Sequence, residues 1–240
     1  MQDEKGRSNF SYLRKEEIGK SRNLLKRYKQ QLDCLSKEQK DVAIGVMLGD
    51  GSLQTQNGGK SYRLKLLQGG KNREYLFHLC DVFSEWVLSP PSPQHRKSVA
   101  TGKVLEAWRA QTISHPAFNE LAEIFLDEKG RKILPTTLVR DHLTRVALHT
   151  GLMDDGGRSN YNKDRPELKG ITINTQGFTE AEVHSLASGL KLYFRLDCWV
   201  GRNKGRWTII ISGLSFQHLA KMIGPYIHPS MGTSSQRVWR

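Results

Sequence analysis

Two aspartates, Asp50 and Asp155, occupy matching points of the chain, each at the end of an apolar run and directly before a glycine. An aspartate at the C-terminal end of a helix meets unpaired carbonyl groups and partial negative charge, which disfavour it unless a cation is close. Mg²⁺ prefers oxygen ligands and takes one or two carboxylates, keeping waters and substrate phosphates for the rest. Taken alone, either Asp-Gly pair is a polar helix end. Together they predict a divalent-metal site suited to phosphodiester hydrolysis, with the backbone carbonyls of Gly49 and Asp154 as further ligands.

The helices that must position these acids are marked at both ends. The first run, AIGVMLGDG (43–51), follows Ser36, and Ser36 with Gln39 three residues later forms a capping-box pattern. The second run, LHTGLMDDG (148–156), follows Thr144, a suitable N-cap residue. Glycine directly after the aspartate is typical of a helix end. Small residues at facing positions would let the two helices pack closely and bring the acids side by side: Gly45, Gly49, Ala147, Thr150 and Gly151.

The segments after each run also repeat. Residues 62–76 and 171–183 both read as an alternating strand ending near a glutamine, a turn and a helix start. Residues 98–113 and 196–212 both indicate hairpins, and AFNELAEIF (117–125) matches SFQHLAKMI (215–223). A repeat of this length predicts two related subdomains, each of helices and antiparallel strands, and hence an α+β fold.

The amino-acid composition indicates which class of partner the chain binds. The chain has 240 residues, of which 37 are Lys or Arg and 24 are Asp or Glu, giving a formal charge of +13. That charge favours a polyanion, and without an apolar run long enough to cross a bilayer, nucleic acid is favoured over a membrane. The N-terminus has neither a signal-peptide pattern nor that of a good transit peptide. Cys34, Cys80 and Cys198 are scattered and are expected to be reduced small hydrophobes, and His115 a surface or capping residue.

The two apolar runs, together with several other segments of the chain, resemble those of a known family. The two runs are similar to the motifs of LAGLIDADG homing endonucleases of the single-chain, two-motif class, in particular those encoded in mitochondrial group I introns. The segments LLKRYKQQL (24–32), WVLSPP (86–91), MDDGG (153–157) and NTQGFT (174–179) carry the same resemblance, which extends from about residue 20 to about residue 229.

The resemblance implies two pseudo-symmetric αββαββα subdomains whose curved antiparallel sheets form a saddle over DNA, with the strands in the major groove and the active sites over the minor groove. One face of each sheet would pack on helices and the other would meet DNA, although a merely solvated face explains the same alternation. The expected DNA-binding residues are Lys20, Lys26, Arg63, Lys65, Gln68, Arg158, Asn160, Asn174, Gln176, Arg202, Lys204 and Arg206.

The resemblance also implies roles. Asp50 and Asp155 match the metal-binding acids, with two or three Mg²⁺ ions shared between the sites, and Asp154 would be a carbonyl ligand or a cap. Lys132, in RKILP (131–135), matches the basic residue that supports the attacking water or the phosphate. Gln111 and Asn203 match positions that hold the water network. The second basic position aligns with Ser234, a departure from the pattern for which Arg237 is the candidate substitute.

The whole chain is thus predicted as a basic N-terminal extension and helix (1–35), a first subdomain (36–135) and a second subdomain with a C-terminal tail (136–240). The expected activity is cleavage of both strands of a long asymmetric DNA site by a monomer, leaving short 3′ overhangs and supporting intron mobility in the mitochondrion. Two alternatives share the fold: a maturase that binds its own intron RNA, and a non-catalytic DNA-binding protein. Retention of both motif acids favours cleavage.

Overall fold

A computed structural model describes residues 12–97, 102, 104–159 and 170–226, without the side chains of 96, 97, 105, 155, 158 and 159. The chain divides into two compact units, Met1–Cys34 and Leu35–Arg240. In the part described, no helix is both long enough and apolar enough to cross a membrane. All three cysteines are free, and Cys80 and Cys198 are buried as predicted, whereas Cys34 is exposed.

The first unit is built around helix α1 (Arg22–Gln31), preceded by a 3-10 turn at Lys15–Glu17. Ser21 caps α1 by accepting from the backbone N–H of Leu24 at 3.3 Å. The side-chain amide of Gln31 bonds both backbone groups of Leu13, at 2.8 and 3.1 Å, and so ties the preceding segment to the end of the helix.

The second unit contains two successive sets of helices and strands. The first set comprises α2 (Lys37–Leu48), β1 (Ser52–Thr55), β2 (Tyr62–Gly69), α3 (Arg73–Val82), β3 (Ser92–Lys97), β4 (Val104–Gln111) and α4 (Asn119–Phe125). The second comprises α5 (Leu138–Asp141), α6 (Arg145–Asp155), β5 (Gly156–Ser159), β6 (Gly170–Asn174), α7 (Glu180–Phe194), β7 (Cys198–Asn203), β8 (Arg206–Ile211) and α8 (Phe216–Ile223).

The strands of each set form their own sheet, and the two sheets have the same order. The first runs β1-β2-β4-β3 and the second β5-β6-β8-β7, with every pairing antiparallel. The predicted duplication and the α+β class are therefore confirmed. The register also matches: Ser52 pairs with Lys65, and Gly157, two residues after the second motif acid as Ser52 is after the first, pairs with Thr172.

The two motif helices, α2 and α6, begin where the capping residues predict. Ser36 accepts from the N–H of Gln39 at 3.1 Å, while the Gln39 side chain accepts from the N–H of Ser36 at 3.0 Å. Thr144 accepts from the N–H of Ala147 at 3.2 Å. Gln39 also donates to the backbone carbonyl of Val82 at 3.0 Å, which fixes the start of α2 against the end of α3.

Small residues bring α2 and α6 into backbone contact, as predicted. A Cβ atom on Gly45 would lie 2.4 Å from both the carbonyl oxygen of Ala147 and the Cβ atom of Thr150. One on Gly151 would lie 3.3 Å from the carbonyl oxygen of Gly45. Because nothing larger fits at Gly45, this pairing fixes how close the C-terminal ends of the two helices can be.

Three boundaries differ from the sequence-based expectation. Helix α2 ends at Leu48, so Asp50 lies beyond the C-cap residue Gly49, whereas α6 continues through Asp155 as predicted. Strand β3 begins at Ser92, earlier than the hairpin start at 98. Strand β6 ends at Asn174, which leaves Gln176 in the turn before α7. The reason for the last difference is the capping box of Thr179 and Glu182, which starts α7 and requires a reversal of the chain before it.

Candidate active site

Asp50 lies in the tight turn that follows α2. The turn is closed by the N–H of Gly51, which donates to the carbonyl of Val46 at 2.9 Å. A Cβ atom on Gly51 would lie 2.4 Å from a Val46 side-chain carbon, so only glycine allows this turn. The Asp50 side chain is left exposed at the end of α2. Partial desolvation raises the pKa of its carboxyl group above the ordinary value, and the positive charge of Lys132 opposes that shift.

Lys132 extends its ammonium group to the same helix end. Its Nζ atom donates to the carbonyl oxygens of Gly49 at 2.7 Å and Gly51 at 2.9 Å. The lysine is held in place by the segment that returns along α4, where the N–H of Ile133 donates to the carbonyl of Phe125 at 2.8 Å. The location of Lys132 beside Asp50, implied by the resemblance, is thus present in the structure, and the ammonium group occupies the partly negative end of α2.

The second half of the chain completes this site. Asp50 and Lys132 line a cavity of 490 Å³ whose other wall includes Asn174, Gln176 and Phe178, from the end of β6 and the turn that follows. The Phe178 ring centroid lies 5.6 Å from the Lys132 Nζ atom, within cation–π range. Sequence reasoning did not select Phe178, and only its place in the turn before α7 relates it to the site.

Asp154 has a role that its sequence position does not reveal. Its Oδ2 atom accepts from the backbone N–H of Asp50 at 3.1 Å, and its Oδ1 atom accepts from the side-chain amide of Gln68. Of the two predicted roles, carbonyl ligand or cap, the first stays a prediction. The side chain does not satisfy the unpaired carbonyls of a helix end, as a cap would, but holds the N–H of the residue that follows the C-cap position of α2.

Gln68 was expected to face DNA together with Arg63 and Lys65, and this expectation is wrong. Residues 63 and 65 share one face of β2, while 68 falls on the other face because strand side chains alternate with a period of two. The Gln68 side chain is accordingly 3% exposed and directed toward Asp154.

The two residues predicted to hold the water network, Gln111 and Asn203, are not equivalent in the fold. Gln111, exposed at the end of β4, pairs with Lys65, which pairs in turn with Ser52, two residues after Asp50. Asn203 is instead the last residue of β7, beside a two-residue turn, and pairs with Arg206 at the far end of its hairpin. Asn203 therefore does not occupy in the second half the position that Gln111 occupies in the first, and its place in a water network stays a prediction. The hairpins are similar in sequence, but sequence similarity does not give the register between strands.

Several predicted DNA-binding residues lie on exposed parts of the two sheets. Arg63 is oriented by Gln54, whose side-chain oxygen accepts from Arg63 at 2.7 and 3.2 Å. Arg202 lies over the ring of Trp207, with its Cζ atom 4.0 Å from the ring centroid. The β7–β8 turn has positive φ at both central residues, Lys204 and Gly205, as a two-residue hairpin turn requires. The remaining exposed members are Lys65, Gln176, Arg206 and, in the first unit, Lys20 and Lys26.

Five of the predicted site residues fall wholly or in part outside the described residues. Asn160, Ser234 and Arg237 lie outside the described residues, and the side chains of Asp155 and Arg158 do as well, although the backbone of Asp155 ends α6. His115 is confirmed as a capping residue, since its Nδ1 atom accepts from the N–H of Ala117 at 3.1 Å.

The donor set at the end of α2 fits a hard divalent cation. It consists of oxygen atoms, namely the Asp50 carboxylate and the carbonyls of Gly49 and Gly51, two of which already accept hydrogen bonds from a cationic ammonium group. Among the described residues there is no cluster of three or more His, Cys, Asp or Glu side chains able to hold a metal. Such a site would therefore depend on carbonyls, water and substrate phosphate as well as carboxylates.

Comparison with known proteins agrees with this architecture. Residues 40–219 match the model of the LAGLIDADG DNA endonuclease family. A probable intron-encoded endonuclease of Wickerhamomyces canadensis is 36% identical over 214 residues, covering 89% of this chain and 90% of the relative. The solved structure of the homing endonuclease I-WcaI bound to its DNA recognition sequence superposes with a TM-score of 0.83 at 34% identity, covering 92% of this chain and 97% of that one.

The fold and the duplicated motif helices thus define a single-chain protein of the two-motif class. The chain belongs to the LAGLIDADG DNA endonuclease family. It is also similar to the cytochrome b mRNA maturase bI2 of Debaryomyces hansenii, at 29% identity over 82% of this chain and 73% of the relative.

Proposed function

We propose that this protein is a site-specific homing endonuclease that hydrolyses both strands of a long, asymmetric double-stranded DNA site in a divalent-metal-dependent reaction. The observation that carries the proposal is the convergence of Asp50 and Lys132 at the end of α2, in a cavity whose other wall comes from the second subdomain. Similarity to a homing endonuclease solved on its DNA recognition sequence supports the same conclusion.

The side chains at this site have separable tasks. Asp50 and Asp155, with the carbonyls of Gly49 and Asp154, would hold Mg²⁺, two or three ions being shared between the sites. A bound ion of this kind activates water and stabilises charge on the phosphate. Lys132, held by two carbonyls, directs its positive charge into the cavity and would stabilise the scissile phosphate as negative charge develops. Gln111 would orient water from the end of β4.

The exposed sheet residues would read the DNA on either side of the cleavage sites. Arg63 and Lys65 on the first sheet and Arg202 and Arg206 on the second are suited to phosphates and base edges in the major groove. Because the two halves differ in sequence, the two half-sites are expected to differ as well. One chain supplies both halves, namely subdomains 36–135 and 136–240, so the proposed active form is a monomer on an asymmetric site.

The test is selection of cleaved duplexes from a randomised library with Mg²⁺, followed by a cleavage assay on the selected site. The wild type should convert a plasmid carrying this site to a linear form with short 3′ overhangs. Asp50→Asn should nearly abolish linearisation while leaving binding to the site largely intact, since the acid holds metal and not bases. An exposed acid elsewhere, Glu128, supplies the matched control as Glu128→Gln. Failure of the wild type to cut any selected duplex, or preference for a perfect palindrome, would contradict the proposal.

Similarity to an mRNA maturase favours a second candidate activity, assistance of splicing of the host intron. The basic surface that would contact DNA phosphates also suits RNA, and the two activities can coexist in one chain. In vitro splicing of the host intron RNA with Asp50→Asn separates them, because a maturase activity should survive loss of the cleavage acid. The proposed setting is the mitochondrion, with cleavage supporting intron mobility, as the similarity to intron-encoded endonucleases suggests.

A further inference from the structure

The two motif helices are joined at their C-terminal ends by a side chain that serves the opposite helix. Asp154 belongs to α6, yet its Oδ2 atom accepts from the N–H of Asp50 at 3.1 Å, a contact between residues 104 positions apart. The N–H groups on either side of it, those of Gly49 and Gly51, both donate to the carbonyl of Val46 in α2, whereas the Asp50 N–H points to α6 instead. The Asp154 carboxylate therefore fixes the backbone that carries the first motif acid.

The second oxygen of the Asp154 carboxylate is also hydrogen-bonded. Its other oxygen accepts from the side-chain amide of Gln68, which is 3% exposed on the helix-facing side of β2. Asn72, at the end of the 3-10 turn Gly70–Asn72 that follows β2, donates to the Gln68 side-chain oxygen at 3.4 Å. Gln68 and Asp154 thus connect the first sheet, the second motif helix and the turn after the first motif helix.

The aligned residue in the first motif makes this arrangement one-sided. Gly49 corresponds to Asp154, and a Cβ atom on Gly49 would lie 2.5 Å from the Asp154 Cβ atom and 2.6 Å from its Oδ2 atom. The space that a side chain at 49 would need is therefore filled by Asp154. Only one of the two motifs can carry such a side chain, and the other must be glycine.

We infer that Asp154 is a positioning residue for the first active site, acting across the helix interface by holding the backbone of Asp50, with Gln68 orienting its carboxylate. This inference rests on the proposed endonuclease function. It assigns a residue of the second motif to the site of the first, so loss of the Asp154 carboxylate should affect the strand served by Asp50 and Lys132 more than the other strand. A carboxylate that bound metal directly would behave differently, because it would not tolerate an amide.

The first experiment compares Asp154→Ala with Asp154→Asn on a selected duplex that carries a separate end label on each strand. Lys132→Met identifies the strand served by the first site. Asp154→Ala should slow this strand about tenfold or more and the other strand much less, as expected for a displaced reacting group. Asp154→Asn should restore the rate to within about threefold of wild type, because an amide oxygen still accepts from the Asp50 N–H and the Gln68 amide can reverse to accept from the new donor.

The second experiment does not depend on cleavage. The amide of Asp50, followed by ¹⁵N-resolved NMR without metal or DNA, should exchange with solvent about tenfold faster in Asp154→Ala than in wild type and near the wild-type rate in Asp154→Asn. Gln68→Met, which removes the donor to Asp154, should give an intermediate rate. Asp141→Ala is the matched control, since it removes a hydrogen-bonded carboxylate from α5, outside the site. Thermal unfolding of each variant checks that the fold is retained.

The two experiments distinguish failure of the Asp154 inference from failure of the proposed endonuclease function. An Asp50 amide that exchanges equally in wild type and Asp154→Ala would overturn the inference, whatever the cleavage rates. Asp154→Asn as slow as Asp154→Ala would overturn it as well and assign the carboxylate to metal binding. If wild type cut no duplex at all, the proposed function would fall, while the exchange data would still decide whether Asp154 holds the Asp50 backbone.

Discussion

Gly49 and Asp154 occupy equivalent positions of the two motifs, and the side chain of Asp154 fills the space that a side chain at position 49 would need. A Cβ atom on Gly49 would lie 2.5 Å from that of Asp154, closer than two such atoms can be without displacement of one helix. The φ of Gly49 is −104°, so the requirement for glycine rests on this close contact and not on a left-handed backbone. This contact sets the distance between the C-terminal ends of α2 and α6, where the two motif acids lie.

Gly49→Ala should therefore lower the free energy of unfolding by about 1–3 kcal/mol, the usual cost of forcing extra volume into a packed contact. Urea denaturation measures the change. Gly224→Ala is the matched control, because its φ is −49° and its Cβ atom would meet nothing within 4 Å. Equal stability of the two variants would mean that the helices separate at this point without cost.

Lys132→Met should slow cleavage of one strand more than the other. In the proposed reaction the ammonium group would stabilise charge at the site of Asp50, and loss of one such contributor costs about 3 kcal/mol of barrier, or roughly a hundredfold in rate. Separate end labels on the two strands of a cognate duplex report both rates. Lys129→Met, in the same loop but exposed, is the control. A uniform loss on both strands would place Lys132 outside a strand-specific role.

The second basic position, aligned with Ser234, predicts that the two wild-type strand rates are already unequal. Arg237→Ala tests whether that residue substitutes for the missing lysine, and if it does, the slower strand should become slower still. Single-turnover rates on the same labelled duplex provide the measurement. Equal wild-type strand rates that are unchanged by Arg237→Ala would show that the alignment of this C-terminal segment is wrong.

DNA binding should weaken steeply with salt, because the chain carries a net charge of +13 and many of its exposed sheet residues are basic. The logarithm of affinity should fall by about 0.9 per tenfold-salt step for each phosphate neutralised, and Arg202→Gln should reduce the slope by roughly one such contact. Titrations at several salt concentrations give the slope. Lys191→Gln, on helix α7, should leave it unchanged, and a nearly flat wild-type dependence would exclude the proposed DNA surface.

Protein stability should fall as the pH drops from about 6.5 to about 4 through His149. Burial lowers the pKa of this histidine to about 4, and the positive charge of His78 adds to the effect. The folded pKa is below the unfolded value, so the unfolded chain binds the proton first, and the stabilisation present above pH 6.5 is lost toward pH 4. A shift of this size corresponds to ~3 kcal/mol.

His149→Leu should flatten the stability profile in that pH range, as measured by urea denaturation at intervals of pH. His184→Gln, which replaces an exposed histidine on α7, should retain the wild-type slope. A wild-type slope that survived His149→Leu would assign the acid sensitivity to other groups.

The sequence by itself determined the features that depend on neighbouring residues. The capping box of Ser36 with Gln39 and the N-cap at Thr144 formed as predicted, because each joins groups only three residues apart. The duplication was also readable, since equivalent segments follow the same order in both halves. The alternation in β2 assigned Arg63 and Lys65 to one face, whereas Gln68 was misassigned because its odd spacing from both residues, which places it on the opposite face, was ignored.

Only the tertiary structure decided which distant groups meet. The bonds of Asp154 to Asp50 and of Lys132 to Gly49 join residues 104 and 83 positions apart, and no local pattern encodes contacts of that range. The place of Asn203 is local by contrast, since it pairs with Arg206 only three residues further on, across the two-residue turn of Lys204 and Gly205. The close approach of α2 and α6 brings Asp154 to Asp50, because the glycines where the two helices meet let the backbones come into contact.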